Sequence, residues 1–266
     1  MSDYKQTTKI MVLGAYGTFG RIITKSLVKD KYSVIGLGRD QKKLIQLNQD
    51  VNSKYLEILV HELKGDNLLD ILNKFKPKVV INTCGPYLKG DYGIINQCIK
   101  AGINYIDLAD NRDYVCQAQD KLKQLIKNKG LSIIVGASTV PALSSAVVSV
   151  YKNKFSKLES LVYGISPGQK SPRGLATTKS ILSYLGKRFS KKYNRFGWQG
   201  LYLAKFPNIG SRMMGFCDIP DLDLFPSYYN VKNIKFSAGM ESKALHLCMW
   251  SCSWLVRLKI IRFTPG

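Results

Sequence analysis

The chain has 266 residues, 45% hydrophobic and 22% charged, which suits one large or two modest globular domains and excludes wholesale disorder. Its 22 glycines and 9 prolines follow no period, which excludes collagen-like and low-complexity classes. Forty basic residues face 18 acidic ones, a net charge of +22, which favours acidic ligands and anionic surfaces. No nucleic-acid reading motif accompanies the scattered lysines, so no nucleic acid is expected as a partner.

Residues 9–13 read as a first strand. Residues 18–29 read as a helix with Phe19, Ile22, Ile23 and Leu27 on one face. A second strand follows at 33–37 and a third at 56–60. Residues 67–76 form a helix halted by Pro77, and 78–82 a fourth strand with Val79, Val80 and Ile81 at its centre. Residues 92–101 read as a helix stopped by Gly102, 104–108 as a strand, 115–129 as a helix stopped by Gly130, and 131–135 as a strand. Alternation of apolar strands with helices means a parallel sheet covered on both faces.

The character changes near Pro141. Residues 151–266 carry 19 basic and 5 acidic side chains, a net of +14, and aromatics become denser there. Two domains are expected: 1–141, an NAD(P)-binding domain, and 142–266, a substrate and dimerisation domain. No apolar run reaches the roughly 18 residues of a spanning helix. The nearest, 244–258, is interrupted by His246 but apolar nearly all round, so it should be buried on several sides. Residues 1–8 are polar and the apolar run after them is short, unlike a secretory signal. The six cysteines are therefore expected as reduced thiols in a cytoplasmic protein. Cys248 and Cys252 lie near His246 without a second ligand pair. They read as buried helix cysteines, and no metal is expected.

The sharpest motif is Gly14-Ala15-Tyr16-Gly17-Thr18-Phe19-Gly20, between the first strand and the first helix. Gly14 permits a tight turn, Gly17 lets backbone approach a pyrophosphate, and Gly20 lets helix and strand pack closely. The open amides and positive end of the helix then face the phosphates. The second strand runs into Arg39, where an NAD-preferring fold would place an acid for the ribose 2′-hydroxyl. A guanidinium there suits a 2′-phosphate, so NADP is expected over NAD. Asp40 next door leaves a ribose contact open, and Lys42 and Lys43 read as the start of a solvated helix. Asn82-Thr83-Cys84-Gly85-Pro86-Tyr87 ends the fourth strand, where a doubly wound sheet lines its cofactor cleft. Asp107, Asp110 and Arg112 follow the fifth strand. Asp107, Asp110 and Tyr87 are the candidates for proton transfer, and a structural ion pair accounts for the acids equally well.

These stretches, with 101–107 and Gly136-Ala137-Ser138, resemble the NADP-binding domain of the saccharopine dehydrogenase-like oxidoreductases. Ser166-Pro167-Gly168, residues 173–177 and Asp218-Ile219-Pro220-Asp221 resemble the substrate region of bacterial members. The resemblance implies an α/β fold: a Rossmann-type doubly wound parallel sheet followed by a second α/β substrate domain. It implies hydride chemistry at a C–N or C=C bond. By position, Gly14, Tyr16, Gly17, Thr18, Phe19 and Gly20 would hold the pyrophosphate and Arg39 the 2′-phosphate. Thr83, Cys84 and Gly85 would flank the adenosine and ribose side, and Ser138 and Thr139 would approach the nicotinamide. Members commonly run longer. The chain is thus expected to be a fragment or truncated product whose second domain is incomplete and marginal, with weak or absent turnover.

Two functions compete. One is an NADP-dependent oxidoreductase acting on a small, acidic substrate held by Arg173, Lys187 and Arg212. The only Tyr-x-x-x-Lys pair, Tyr228 with Lys232, lies in a loop-like context and is rejected as a reductase dyad. The other is a non-catalytic nucleotide-binding protein that contacts partners or a membrane surface peripherally through its basic second region.

Overall fold

Ile10, Met11, Val12 and Leu13 are all buried in strand β1 (Lys9–Leu13), because helices cover both faces of its sheet. The same holds for β2 (Ser33–Gly38), where Val34, Ile35 and Leu37 are buried. With β3 (Leu56–Val60), β4 (Val79–Asn82), β5 (Asn104–Asp107) and β6 (Ile133–Ile134) they form one parallel sheet in the order β3-β2-β1-β4-β5-β6. This is the doubly wound order, which reverses direction between β1 and β4 and opens a crevice at the carboxyl ends of those strands. The computed structural model describes residues 7–65, 67–87, 90–171, 174–190 and 194–262. It divides into two units, Met1–Ala142 and Leu143–Gly266.

Five helices serve the first sheet: α1 (Thr18–Lys29), α2 (Gln41–Val51), α3 (Leu68–Phe75), α4 (Gly93–Lys100) and α5 (Arg112–Ile126). The inward face of α1 is not the one its largest side chains suggest. Phe19 and Ile22 are 46% and 59% exposed, whereas Gly20, Thr24 and Val28 are buried, with Ile23 and Leu27 packed beside them. Small residues face the sheet because helix and strand approach too closely there for bulk. Helix α2 packs Leu44 and Leu47, both fully buried, against Ile10, Val12 and Val34. Burying each such leucine contributes roughly 1.5–3 kcal/mol. Helix α5 begins three residues before the expected start, because the Asn111 side chain accepts from the Tyr114 amide and caps it. Strand β6 is two residues long, not five.

The second unit holds α6 (Ser144–Tyr151), α7 (Leu175–Ser183), α8 (Asp221–Tyr229) and α9 (Lys243–Arg257). Its sheet runs β10 (Tyr202–Phe206), β11 (Gly210–Phe216), β12 (Asn233–Gly239), β7 (Ser160–Ile165). The β12–β7 pair is parallel and the others antiparallel. A small antiparallel pair, β8 (Arg188–Ser190) and β9 (Arg195–Phe196), stands apart. Phe225 of α8 is fully buried against Tyr163, with ring centroids 6.1 Å apart, and Phe236 meets Tyr163 edge-on at 5.2 Å.

Helix α9 corrects one expectation. It is buried along a single line, at His246 and Ser253, and not on several sides; Leu245, Leu247, Trp254 and Leu255 stay exposed. Cys248 is exposed and Cys252 half-buried, so neither is the buried helix cysteine expected. Helix α8 ends at Tyr229, with Asn230 left-handed after it, so Lys232 does not lie one helical turn beyond Tyr228. Among the described residues no helix is long and apolar enough to cross a membrane.

Candidate cofactor site

At the end of β1 the chain turns through Gly14, whose φ of +75° favours glycine. The amides of Gly14 and Ala15 both donate to the Leu37 carbonyl, at 2.9 and 3.1 Å, and the Gly17 amide donates to the Gly14 carbonyl at 2.8 Å. Strand β4 closes the loop from the other side. Thr83 Oγ1 donates to the carbonyls of Leu13 (2.8 Å) and Gly14 (3.2 Å). A Cβ on Gly14 would lie 2.9 Å from both Thr83 Oγ1 and Cys84 Sγ, and one on Gly20 would lie 2.1 Å from the Gly14 carbonyl oxygen. Both glycines are therefore obligatory for this turn. Gly17 is the N-cap of α1 and supplies no capping side chain. The first-turn amides of α1 thus point out of the loop without a side-chain acceptor, a ready anion cradle. Tyr16 lies on the backbone of Gly38, where a Cβ would come within 2.4 Å of its ring, and Lys43 Nζ sits 5.7 Å from its centroid.

The end of β2 carries Arg39 and Asp40. Asp40 is the N-cap of α2: its Oδ1 accepts from the Lys43 amide at 3.1 Å and its Oδ2 meets Lys43 Nζ at 3.5 Å. The backbone bond from Lys43 holds its carboxyl below the usual range. Asp40 is committed to the helix, and Arg39 beside it is exposed. Burial pushes the Cys84 thiol up to about 11 while the Arg39 guanidinium pulls it back, so Arg39 and the β4 end share one electrostatic neighbourhood. At neutral pH Cys84 is a neutral thiol, not a nucleophile.

Beneath the β4 and β5 ends lies a buried polar network that the motifs alone do not reveal. Asp107 Oδ1 accepts from the amides of Gly136 (2.8 Å) and Ala109 (3.1 Å), and its Oδ2 accepts from the hydroxyls of Tyr114 (3.0 Å) and Tyr105 (3.1 Å). Asn82 donates to the Tyr105 hydroxyl at 2.9 Å and accepts from the Cys84 amide at 2.9 Å. Tyr87 donates to the Asn82 carbonyl at 2.8 Å, and Tyr92 donates to the Tyr114 carbonyl at 2.8 Å. The carboxylate of Asp107 is buried and its four bonds all serve the fold, which weighs against the proton-transfer role raised for it. The spacing Tyr105-x-Asp107 on a strand was the available signal, since residues two apart share a face.

Burial is the largest influence on Asp107 and raises its carboxyl above the usual range, with the four donors opposing it. A carboxyl raised in the folded state adds stability below its unfolded pKa and loses that contribution as pH rises through the folded one. Asp107→Asn keeps the acceptor and removes the charge. Its stability relative to wild type should therefore increase between about pH 4 and pH 7 in urea unfolding. Asp107→Leu strands two buried amides at about 1–3 kcal/mol each and should destabilise by several kcal/mol at both pH values.

The remaining candidates are dispersed. Ser138 Oγ donates to the Val140 carbonyl at 2.7 Å, while Thr139 and Gly85 are exposed. Asp110 precedes the α5 cap. Lys187 is exposed before β8. Arg212 in β11 donates through Nη1 to the Ile209 carbonyl at 2.6 Å, which commits part of its guanidinium to its own hairpin. Arg173 lies outside the described residues.

Residues 10–134 match the family model described as the saccharopine dehydrogenase NADP binding domain. The match spans most of the first unit. Among solved structures, the chain is similar to apo saccharopine dehydrogenase (L-Glu forming) from Saccharomyces cerevisiae, with TM-score 0.60 and 15% identity over 88% of this chain and 54% of that one. It therefore spans about half the length of that enzyme, and the likeness is one of fold. A short-chain dehydrogenase/reductase family oxidoreductase from Burkholderia thailandensis matches at TM-score 0.41 and 13% identity, over 57% of this chain and 78% of that one. Yeast methylglyoxal/isovaleraldehyde reductase with NADPH matches at TM-score 0.39 and 18% identity, over 48% and 53%. No curated protein matches the chain in sequence. NADP is the cofactor of the saccharopine dehydrogenase NADP binding domain, and the crevice between β1 and β4 fits it: glycines where a Cβ would collide, an uncapped helix start, and an exposed Arg39 at the end of β2.

Proposed function

We propose that the chain is an NADP-dependent oxidoreductase of the saccharopine dehydrogenase-like type, moving a hydride to or from a C–N or C=C bond of a small acidic substrate. The observation that carries this reading is the division of labour at the β2 end. Asp40 is held as a helix cap, which leaves Arg39 as the group facing a 2′-phosphate. Gly14, Gly17 and Gly20 shape the loop, and Tyr16 and the amides of Thr18 and Phe19 reach the pyrophosphate. Thr83, Cys84 and Gly85 border the ribose, with Ser138 and Thr139 toward the nicotinamide. When bound, the cofactor supplies the hydride. The buried Asp107 network fixes the β4 and β5 ends that form one wall of the crevice. Asp110 and Tyr87 remain the candidates for proton transfer. Tyr87 is the weaker, since burial and Asp107 raise its hydroxyl far above the usual range.

In the proposed second domain, 142–266, Arg173, Lys187 and Arg212 are the cations offered to a carboxylate or phosphate, with a homodimer and a cytoplasmic setting as the accompanying proposals. The test is NADPH fluorescence titration followed by turnover with a panel of imines and enoyl thioesters. Turnover of either class supports the proposal. Tight NADPH binding without any turnover would favour the alternative, a nucleotide-binding protein that contacts partners or an anionic membrane surface. That alternative draws on the net +14 of residues 151–266 and on the exposed apolar side chains of α9.

A further inference from the structure

At the opposite end of the first sheet from the phosphate loop, where the strands begin, lies an open cleft of about 910 Å³. Leu72, Pro77 and Ile103 give it a buried apolar floor. Its rim carries Lys9, Lys74, Lys76, Lys78 and Lys129, all exposed, and among the described residues no aspartate or glutamate lines it. Among the described residues none of the five pairs with a carboxylate.

The backbone under these lysines is fixed. The Lys78 amide donates to the Lys9 carbonyl at 2.8 Å, and the Lys76 amide to the Leu72 carbonyl at 2.8 Å. Asn104 bridges the neighbouring strand starts, donating to the Lys78 carbonyl and accepting from the Ser132 amide, both at 2.9 Å. The backbone is set before a ligand arrives, while each lysine side chain loses rotamer freedom on binding it.

A simpler account is that the lysines complement helix ends. Helices α3, α4 and α5 do finish at this edge, with caps Lys76, Ala101 and Lys127. Each end carries only about half a negative charge. Three such ends neutralise fewer than half of five ammonium groups, so the cluster keeps a net positive field. Ammonium groups are compact point charges with three donors, suited to phosphate oxygens from several sides.

We infer that this cleft binds a phosphate-dense small anion, a linear oligophosphate either free or as the tail of a nucleotide, at a site separate from the NADP crevice. A single phosphate would engage one or two of the lysines; a chain of phosphates can follow the rim.

The experiment is calorimetric titration of inorganic tripolyphosphate into the full chain saturated with NADPH, which blocks the phosphate loop. One site of micromolar affinity, weakening steeply with added salt, is expected. Lys74→Gln/Lys78→Gln/Lys129→Gln should weaken it at least a hundredfold and leave NADPH affinity unchanged. Tripolyphosphate should also protect the five lysines of the wild-type protein from acetylation, read by mass spectrometry, which needs no variant. ATP binding equally well assigns recognition to the phosphates alone, and tighter binding adds the base on the apolar floor. No binding under saturating NADPH, wild-type affinity in the triple variant, or unprotected lysines would each overturn the inference.

Discussion

Gly17→Val should abolish NADPH binding in a protein that still folds. Gly17 has φ −65° and ψ 171°, extended backbone open to any residue, and an added Cβ would meet only the Gly14 carbonyl oxygen, at 3.1 Å. The fold can accommodate that by a shift of a few tenths of an ångström. The ligand cannot, because the side chain would stand over the first-turn amides of α1. Losing two charge-assisted hydrogen bonds to a pyrophosphate costs about 3–6 kcal/mol, a factor of roughly 10² to 10⁴ in affinity. Gly20→Ala makes the contrast: its Cβ would sit 2.1 Å from backbone, so loop and stability should fail together. Circular dichroism melts and NADPH fluorescence separate the two cases. Unchanged NADPH affinity in folded Gly17→Val protein would reduce the loop to a simple turn.

Arg39→Asp should weaken NADPH by roughly ten- to a hundredfold and spare NADH, since a charge-assisted contact to the 2′-phosphate is worth about 1.5–3 kcal/mol. Arg39 is exposed and its neighbour Asp40 caps α2, so the exchange should leave the fold intact and recreate the acid that selects a ribose hydroxyl. Parallel titrations with both cofactors give the answer, and equal losses would show that Arg39 does not read the phosphate.

How much of this is legible in the residues depends on whether a feature is local. Strand β1 is legible because its four apolar residues in a row are all buried, and the phosphate loop because its glycines fall between a strand and a helix. The role of Asp40 is not legible, since an acid after a strand reads equally as a ribose ligand and as a helix cap. The face of α1 is misread because apolar bulk at Phe19 and Ile22 outweighs the small residues that in fact meet the sheet. The Asp107 network draws its members from five segments, and no spacing along the chain links Asn82, Tyr92, Tyr105, Tyr114 and Gly136. For α9, apolar composition states a demand for cover but not which side chains supply it. The stripe through His246 and Ser253 is set by Trp198, which meets His246, and Gln199, which donates to the Ser253 carbonyl.

The central claim is that the crevice between β1 and β4 selects NADP through the 2′-phosphate. The most direct measurement is calorimetric titration of the wild-type chain with NADPH and with NADH under the same low-salt buffer. The account predicts one NADPH site per chain, at least tenfold tighter than NADH, with the difference shrinking as salt screens the contact. Equal affinity for the two cofactors, or tighter NADH, would contradict it.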